Sequence, residues 1–267
     1  MISLIGLPWD GSSSFMRGAA DAPDEIRRAI ECPSSNLAIE TGGTFRLGDN
    51  VIDLGNLVDL SDLDSATAMD RVAQGIEDAL HYGRPLLSVG GDHSISWPIL
   101  RATAPQYERL TILHLDAHPD LYPDFEGDPF SHACPFARVM ESFDHVDLIQ
   151  VGIRTMNDTC RVQAHRFDVT VVDARAEWDP ALLPADQPVY VSLDLDVLDP
   201  AFAPGVSHHE PGGLSTRELI SILHSIRAPV IGADLVELNP QRDINGMTAM
   251  VAAKLTKELA GLMLRNC

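Results

Sequence analysis

The sequence predicts an α/β fold built on a parallel sheet, and three observations support this prediction. Short, apolar, β-rich runs alternate with helical patterns along the whole 267-residue chain, as in folds made of strand–helix–strand units. Several runs are mostly apolar rather than alternating, which is typical of strands buried on both faces. No Gly-, Ser- or Pro-rich linker longer than a loop divides the chain. We therefore predict one doubly wound domain over residues 1–267.

The predicted elements follow one another in regular alternation. Eight short runs rich in apolar residues are predicted strands: Ile2–Leu7, Val51–Leu54, Pro85–Val89, Thr111–Leu115, Leu148–Val151, Val169–Val172, Val189–Leu193 and Pro229–Leu235. Seven segments with helical patterns lie between or after them: Asp24–Ile30, Ala66–Tyr82, Ser94–Ala102, Cys134–Glu141, Thr159–Phe167, Ser215–Ile226 and Met247–Leu264. In the last of these, Met247, Met250, Val251 and Leu255 have the spacing of a buried helix face, so we expect them in the core.

The composition excludes several classes of function. The chain has 39 Asp and Glu residues against 19 Lys and Arg residues, and a formal net charge of -20. Such a chain repels phosphate backbones and anionic lipids, so we predict no nucleic-acid or membrane partner. The apolar start, Met1–Leu7, has no basic flank and breaks at Pro8, unlike a signal peptide or a membrane span. The dispersed cysteines predict reduced thiols in a cytoplasmic protein; they are Cys32, Cys134, Cys160 and Cys267.

Four of the predicted strands are followed by polar segments. These segments are Gly90–His93, Asp116–Asp120, Asp194–Asp196 and Glu237–Pro240. The carboxyl ends of parallel strands lie at one edge of a sheet, and ligands bind in the crevice beyond that edge. We therefore expect the four segments to converge on one site.

The residue types in these segments predict a pair of divalent metal ions. The segment Asp116–Asp120 alternates Asp, His and Asp, so an extended backbone turns the three side chains the same way, and Asp194 and Asp196 repeat this pattern. With His93 the set holds four carboxylates and two imidazoles, and this clustered negative charge is costly without a cation. Carboxylates can bridge two ions, and oxygen ligands with some imidazole suit Mn²⁺. We predict two Mn²⁺ per chain, with nickel, cobalt or iron as alternatives.

Three ordered motifs resemble those of a known family. Gly-Gly-Asp-His-Ser at 90–94, Asp-Ala-His-Pro-Asp at 116–120 and Ser-Leu-Asp-Leu-Asp-Val-Leu-Asp-Pro at 192–200 are similar to the signatures of the ureohydrolases, the arginases and agmatinases. Other segments resemble the plant-type arginases: Leu121–Gly127, Ser131–Ala133, Phe202–His208 and Asn239–Asp243. The resemblance covers nearly the whole chain. It implies a single three-layer α/β domain with a parallel, roughly eight-stranded sheet between helices.

The resemblance also implies roles for individual residues. One Mn²⁺ would be bound by His93, Asp116, Asp120 and Asp194, and the other by Asp116, His118, Asp194 and Asp196. Asp116 and Asp194 would then bridge the ions, and Asp120 would also hold the attacking hydroxide by a hydrogen bond. Glu237 matches the guanidinium-binding glutamate of the family, and His132 matches its mobile proton-transfer histidine.

These roles imply hydrolysis of a small cationic guanidino substrate to urea and an amine. The guanidinium carbon is a poor electrophile, and metal coordination lowers the pKa of water from about 15.7 towards ~7, which gives hydroxide at neutral pH. The carboxylate of Glu237 matches the planar guanidinium group, and His132 can relay a proton to the leaving amine. We favour arginase over agmatinase or a hydrolase of another guanidino acid. Remoter alternatives are a single-metal, deacetylase-like amidohydrolase and a catalytically silent homologue.

Two positions leave the identity of the substrate open. Animal and bacillary arginases bind the substrate carboxylate with an asparagine where this chain has Tyr122, and its α-amino group with an aspartate where this chain has Asn157. We expect both residues to contact the substrate. The segment His208–Glu210 is expected either at the pocket mouth or in solvent, and His114 as a buried histidine. Because oligomers are usual in the family, we also expect a trimer or a hexamer.

Overall fold

The computed structural model describes residues 1–265. Its strands are β1 (Ile2–Leu7), β2 (Val51–Asn56), β3 (Leu86–Gly90), β4 (Leu110–Leu115), β5 (Val146–Ile153), β6 (Thr170–Asp173), β7 (Val189–Asp194) and β8 (Val230–Val236). They form one sheet in the order β2-β1-β3-β8-β7-β4-β5-β6. Every neighbouring pair is parallel, which confirms the predicted sheet.

Helices cover both faces of this sheet. In the described part of the chain they are α1 (Ala22–Glu31), α2 (Ser65–Leu80), α3 (Ser96–Thr103), α4 (Pro135–Ser142), α5 (Asp158–Arg166), α6 (Thr216–Ser225) and α7 (Met247–Leu264). Residues of α1, α6 and α7 belong to one apolar core cluster, and residues of α2, α3, α4 and α5 belong to another. The two cores lie on opposite faces of the sheet, which gives the three-layer arrangement that was predicted.

The order of the strands places the four polar segments side by side. Strands β3, β8, β7 and β4 are consecutive in the centre of the sheet, and each is followed by one of these segments. Neighbouring strands are ~4.8 Å apart, so the four strand ends span only about 15 Å. Strands β3, β4 and β7 are buried at every position, which explains why their sequences are apolar at most positions rather than at alternate ones.

The structure differs from the sequence prediction at the start of α3 and in the burial of the first residue of α7. The segment His93–Ile95 forms a 3-10 turn before α3, because the Asp92 side chain accepts a hydrogen bond from Ser94 N and sets this turn. Met247 is 53% exposed, so its predicted place in the core was wrong; it is the first residue of α7 and lies off the packed face. Leu255 is buried, and Met250 and Val251 are partly buried against the core.

The remaining predictions about the whole chain concern cysteines and membranes. Cys32, Cys134 and Cys160 are free thiols, while Cys267 lies outside the described residues. None of the helices found in residues 1–265 combines the length and apolarity that crossing a membrane requires.

Candidate metal centre and active site

The first group of predicted ligands surrounds the imidazole of His93, in the turn after β3. His93 Nδ1 lies 3.1 Å from Asp116 Oδ2, 3.1 Å from Asp120 Oδ2 and 3.2 Å from Asp194 Oδ2. These four residues are the predicted ligands of one ion. Nδ1 is buried and has no hydrogen-bond partner, and the separations are about those between neighbouring ligands of an ion with ~2.0–2.2 Å bonds. The arrangement therefore fits a divalent cation.

The second group lies beside the first and shares Asp116 with it. His118 Nδ1 is 2.9 Å from Asp196 Oδ2 and 3.5 Å from Asp116 Oδ1, and these three residues form a set that could hold an ion. Asp194 adjoins the group through its Oδ1, which accepts a hydrogen bond from Asp196 N at 2.7 Å. The structure thus brings all six predicted ligands together and places Asp116 between the two groups.

The carboxylates of this cluster repel one another when no cation is bound. Burial raises the pKa of Asp194 well above its usual range, and the charges of Asp196 and Asp116 raise it further. Burial also raises the pKa of Asp196 to about 6, against the opposing effect of His118. No Lys or Arg of residues 1–265 pairs with the four carboxylates. Two divalent cations would remove this repulsion, so the donor set fits a dinuclear metal site.

A row of polar residues crosses the sheet beneath the metal ligands. Neighbouring strands pair these residues in register, and we call them the polar row: Ser88, Asp234, Ser192, His114 and Gln150. All of them are fully buried. Two of them contact the predicted ligands directly, so the row acts as a layer of support under the site.

The polar row determines how His93 is oriented. Ser192 Oγ donates a hydrogen bond to Asp234 Oδ1 at 2.7 Å and lies 3.0 Å from His93 Nε2. Because this hydroxyl proton is directed at Asp234, the oxygen can accept from Nε2–H of His93. An imidazole that binds an ion is neutral, and the proton of His93 would then reside on Nε2, which leaves the lone pair of Nδ1 for the ion.

The polar row also holds Asp116. Burial lowers the pKa of His114, so this imidazole is neutral and carries one proton. Its Nδ1 accepts a hydrogen bond from Gln150 Nε2 at 3.0 Å, which leaves Nε2–H to donate to Asp116 Oδ2 at 2.7 Å. His114 is therefore a buried histidine, as expected, but one that orients a predicted bridging carboxylate.

Glu237 and His132 form a hydrogen-bonded pair next to the metal-ligand groups. Glu237 follows β8, and its Oε1 accepts from His93 N at 3.0 Å and lies 3.0 Å from His132 Nδ1. Burial opposes the charge on His132, but the bond to Glu237 and the charges of Glu237, Asp92 and Asp120 raise its pKa to about 9. On its other side, His132 Nε2 lies 2.8 Å from Ser14 Oγ.

Ser14 also contacts the site, although no sequence motif singles it out. It lies in the loop after β1, and Asp92 anchors this loop by accepting hydrogen bonds from Ser12 N at 3.0 Å and Ser13 Oγ at 3.3 Å. Asp92 thus supports the site without joining the metal-ligand groups. The signal was present in the sequence, since a polar segment, Asp10–Ser14, also follows β1.

Two site residues have a left-handed backbone, which is uncommon for residues other than glycine. The φ angle is 48° for Asp120 and 66° for Glu237. Such a conformation costs about 1–3 kcal/mol and persists where the surrounding structure enforces it, often at functional sites. Glu237 is held by a hydrogen bond from its own N–H to Gly91 O at 2.9 Å.

A cavity of about 280 Å³ opens over the predicted site residues. Asp120, His132 and Glu237 line it, and so do His208 and Glu210, whereas His209 is exposed outside it. The expected substrate contacts also lie in its wall, where Asn157 Nδ2 donates a hydrogen bond to the hydroxyl of Tyr122. Asn157 also caps the amino end of α5.

Comparisons with known proteins agree with this geometry. Residues 1–261 match the sequence profile of the Arginase family. The chain is 46% identical over 273 residues to Arginase 1, mitochondrial, of Arabidopsis thaliana, covering 97% of this chain and 80% of that protein. The solved structure of arginase from Medicago truncatula superposes with a TM-score of 0.89 at 42% identity, covering 98% of this chain and 86% of that one. An agmatinase of Bacillus anthracis is 32% identical over 97% of this chain and 90% of its own length.

The names of the plant relatives contradict the predicted cytoplasmic location. The Arabidopsis relative is named mitochondrial, as is a 43% identical arginase of Medicago truncatula. A second Arabidopsis arginase, 42% identical, is named chloroplastic/mitochondrial. These relatives point to an organelle, and the prediction was wrong because reduced thiols do not distinguish the cytoplasm from other reducing compartments.

The motifs, the fold and the matched relatives agree over nearly the whole length of the chain. The metal-ligand groups fit the metal dependence of the matched family. The chain therefore belongs to the arginase family, whose members are metal-dependent hydrolases of the C–N bonds of linear amidines and act on guanidino substrates.

Proposed function

We propose that the chain hydrolyses the guanidino group of L-arginine, releasing urea and L-ornithine. The observation that carries this proposal is the pairing of Glu237 with His132 directly beside the metal-ligand groups, with a hydrogen-bond distance of 3.0 Å. The reaction needs a carboxylate that binds the cationic guanidinium group and a side chain that donates a proton to the leaving amine. Plant relatives that are named arginases, at 40–46% identity, support the same substrate.

Glu237 is proposed to bind the guanidinium group. Its Oε1 is engaged by His93 and His132. Its Oε2 is buried and has no partner among the described residues. A guanidinium N–H can donate to this free oxygen, and the opposite charges strengthen the bond. The guanidinium carbon is thereby held over the metal-ligand groups.

Six residues are proposed to hold the metal ions: His93, Asp116, His118, Asp120, Asp194 and Asp196. We propose two Mn²⁺, because four carboxylates with two imidazoles suit this ion. When bound, the ions lower the pKa of coordinated water towards ~7 and so make it a nucleophile at neutral pH. Asp120 lines the cavity, where its carboxylate can accept a hydrogen bond from the attacking water and orient it.

His132 is proposed to supply the proton that the leaving amine needs. Its raised pKa, about 9, keeps the imidazole protonated at neutral pH. Attack by water makes the guanidinium carbon tetrahedral, and the C–N bond breaks when the amine nitrogen receives a proton. His132 lines the cavity beside Glu237, so its proton can reach a nitrogen of the group that Glu237 holds.

The charges that line the cavity favour a substrate that carries an ammonium group. Glu210 lines the cavity, and its carboxylate pairs with no side chain of residues 1–265, while no Lys or Arg lines the same cavity. A lone carboxylate attracts the ammonium group of arginine or agmatine and repels guanidino acids that end only in a carboxylate. Tyr122 and Asn157 are the proposed hydrogen-bonding contacts for the remaining groups.

Agmatinase is the second candidate function. Tyr122 and Asn157 stand where animal and bacillary arginases bind the amino-acid end of the substrate, so the carboxylate of arginine lacks its usual partners. The 32% identical relative named agmatinase supports the same alternative.

Urea release from Mn²⁺-loaded protein tests the proposal directly. Arginine, agmatine, 4-guanidinobutyrate and 3-guanidinopropionate are assayed in parallel, and arginine is expected to have the highest kcat/KM. A higher value for agmatine would identify an agmatinase, and no urea from any substrate would contradict both functions. Metal analysis of the same sample is expected to find two ions per chain, whereas one ion would favour the deacetylase-like alternative. A homo-oligomer, either a trimer or a hexamer, and a single domain over residues 1–267 stay predictions.

A further inference from the structure

A third group of metal-binding side chains lies in the cavity, apart from the two groups already described. It consists of His132, His208 and Glu237, whose possible ligand atoms all lie within 4.8 Å of one another. None of these residues belongs to the six proposed ligands of the dinuclear site. The imidazole rings of His132 and His208 are 5.0 Å apart between centroids, with an interplanar angle of 40°.

Two members of this group have polar atoms without partners. Glu237 is 4% exposed, and its buried Oε2 has no hydrogen-bond partner. His208 makes no hydrogen bond with any of residues 1–265; it has only ring contacts, with Phe15, His118 and His132. His208 therefore has two ring nitrogens without hydrogen-bond partners, and it lies beside Glu237, which has one such carboxylate oxygen. Both side chains can supply a ligand atom to the same cation.

The third member is already oriented for the same space. Ser14 Oγ lies 2.8 Å from His132 Nε2, which turns Nδ1 of the same ring towards Glu237 at 3.0 Å. Two imidazole nitrogens and one carboxylate oxygen, with a fourth position open to a cavity, form a ligand set that Zn²⁺ prefers. Mn²⁺ and Mg²⁺ prefer sets richer in oxygen.

We propose that His132, His208 and Glu237 form an inhibitory site for a third divalent cation, with Zn²⁺ as the preferred ion. The inhibition rests on the proposed function, because the ion would occupy Glu237, the proposed guanidinium ligand. Zn²⁺ takes the place of the proton that His132 shares with Glu237, and this proton is released to solvent. The bound ion then repels a guanidinium group and removes the proton donor at the same time.

The inhibition is tested on Mn²⁺-loaded protein in a fixed excess of Mn²⁺, with Zn²⁺ added in steps. We expect Zn²⁺ to raise the KM for the guanidino substrate, because ion and substrate compete for Glu237. After removal of unbound metal, elemental analysis should find two Mn²⁺ and one Zn²⁺ per chain. One Zn²⁺ gained for each Mn²⁺ lost would overturn the proposal, since the ion would then have entered the dinuclear site.

The location of the site is tested with two neighbouring histidines. His208→Asn should weaken Zn²⁺ binding by about tenfold or more. A loss of about tenfold is the lower end of the range for residues that only orient a metal ligand, and His208 is proposed as a ligand itself. His209→Asn is the matched control, because His209 is exposed and its Nε2 is bonded to Pro204 O at 2.7 Å, outside the group. Equal Zn²⁺ affinity in His208→Asn and wild type would overturn the proposal.

Two measurements keep this test separate from folding and from the proposed function. His208→Gln serves as a second variant, and circular dichroism checks that both variants fold. Zn²⁺ binding is also measured by calorimetry, which needs no turnover. If no guanidine compound releases urea but His208→Asn still loses the third ion, the proposed function fails while the binding site stands. If urea is released and Zn²⁺ binds the variants equally, only the third site fails.

Discussion

Asp116 and Asp194 are the residues on which both metal ions are proposed to depend. We expect Asp116→Ala and Asp194→Ala each to lose bound metal and urea release together, because each carboxylate is proposed to bridge the ions. Elemental analysis of the purified variants and urea assays measure the two properties. Asp144→Ala is the control, since Asp144 is exposed at the surface, and it should keep both. Two ions retained in either bridging variant would contradict the assignment.

His132 is proposed to donate a proton to the leaving amine and not to bind either ion of the dinuclear site. We expect His132→Asn to retain both ions and to lower kcat by roughly 10²–10⁴-fold, the usual contribution of a general acid. Burial opposes the charge on this imidazole, but Glu237 raises its pKa to about 9. The donating form is therefore complete well below pH 9 and is lost as the pH rises through that value. Turnover of the wild type should therefore fall as the pH rises through about 9. If turnover of His132→Asn falls over the same pH range, another group causes the loss.

Glu210 is expected to select among guanidino compounds. Glu210→Gln should lower kcat/KM about tenfold or more for arginine and agmatine, since a hydrogen bond to a charged group contributes ~1.5–3 kcal/mol. The same variant should raise kcat/KM for 4-guanidinobutyrate by removing a repulsion between carboxylates. Glu126→Gln is the control, because Glu126 is exposed and does not line the cavity. Equal changes for all three substrates would argue against this selectivity.

At the scale of elements, the strands were the easiest feature to predict. The central strands β3, β4 and β7 are buried on both faces, so their sequences are nearly uniform apolar runs that end in polar residues. This contrast locates both the strand and the site that follows it. The 3-10 turn at His93–Ile95 could not be predicted as separate from α3, because a side-chain hydrogen bond from Asp92 decides it.

The polar row shows what strand patterns alone cannot reveal. Ser192, His114 and Asp234 are single polar residues within apolar strands, and each could be read as an isolated, satisfied group. Their connection depends on the register between strands, where His114 pairs with Ser192 and Ser192 pairs with Asp234. Register is a property of the assembled sheet, so the row appears only in the structure.

The polar row is expected to set metal affinity. Asp234→Asn should weaken Mn²⁺ binding by roughly 10–100-fold, because the orientation of Ser192, and through it of His93, would be lost. Titration of the metal-free protein with Mn²⁺ measures this effect. Ser88→Ala is the control within the same row, since Ser88 Oγ has no hydrogen-bond partner. Unchanged affinity in Asp234→Asn would limit the row to a role in packing.

At the scale of the whole molecule, the metal ions are expected to stabilise the fold. Two divalent ions would change the formal net charge from -20 to about -16 and would neutralise carboxylates that repel one another at the centre of the sheet. Ions at about a thousand times their Kd contribute ~4 kcal/mol per site, and each kcal/mol raises Tm by roughly 2–4 °C in a chain of this size. Removal of metal with a chelator should therefore lower Tm by about 10 °C or more.

Calorimetry of metal-free and reloaded protein measures this change in Tm. Asp116→Ala is the control, because a chain that cannot hold the ions should melt at the same temperature with and without Mn²⁺. An unchanged Tm in the wild type would show that the cluster is stable without cations.

The position of β8 in the sheet has a consequence for how the protein is made. β8 is the last strand of residues 1–265 in sequence order, but it lies between β3 and β7, so the sheet remains two separate parts until β8 is inserted. His93 follows one of these parts and Asp194 follows the other. A nascent chain therefore cannot bring these two residues together before β8 has been synthesised, so the ion that His93 and Asp194 are proposed to share can be bound only after that point.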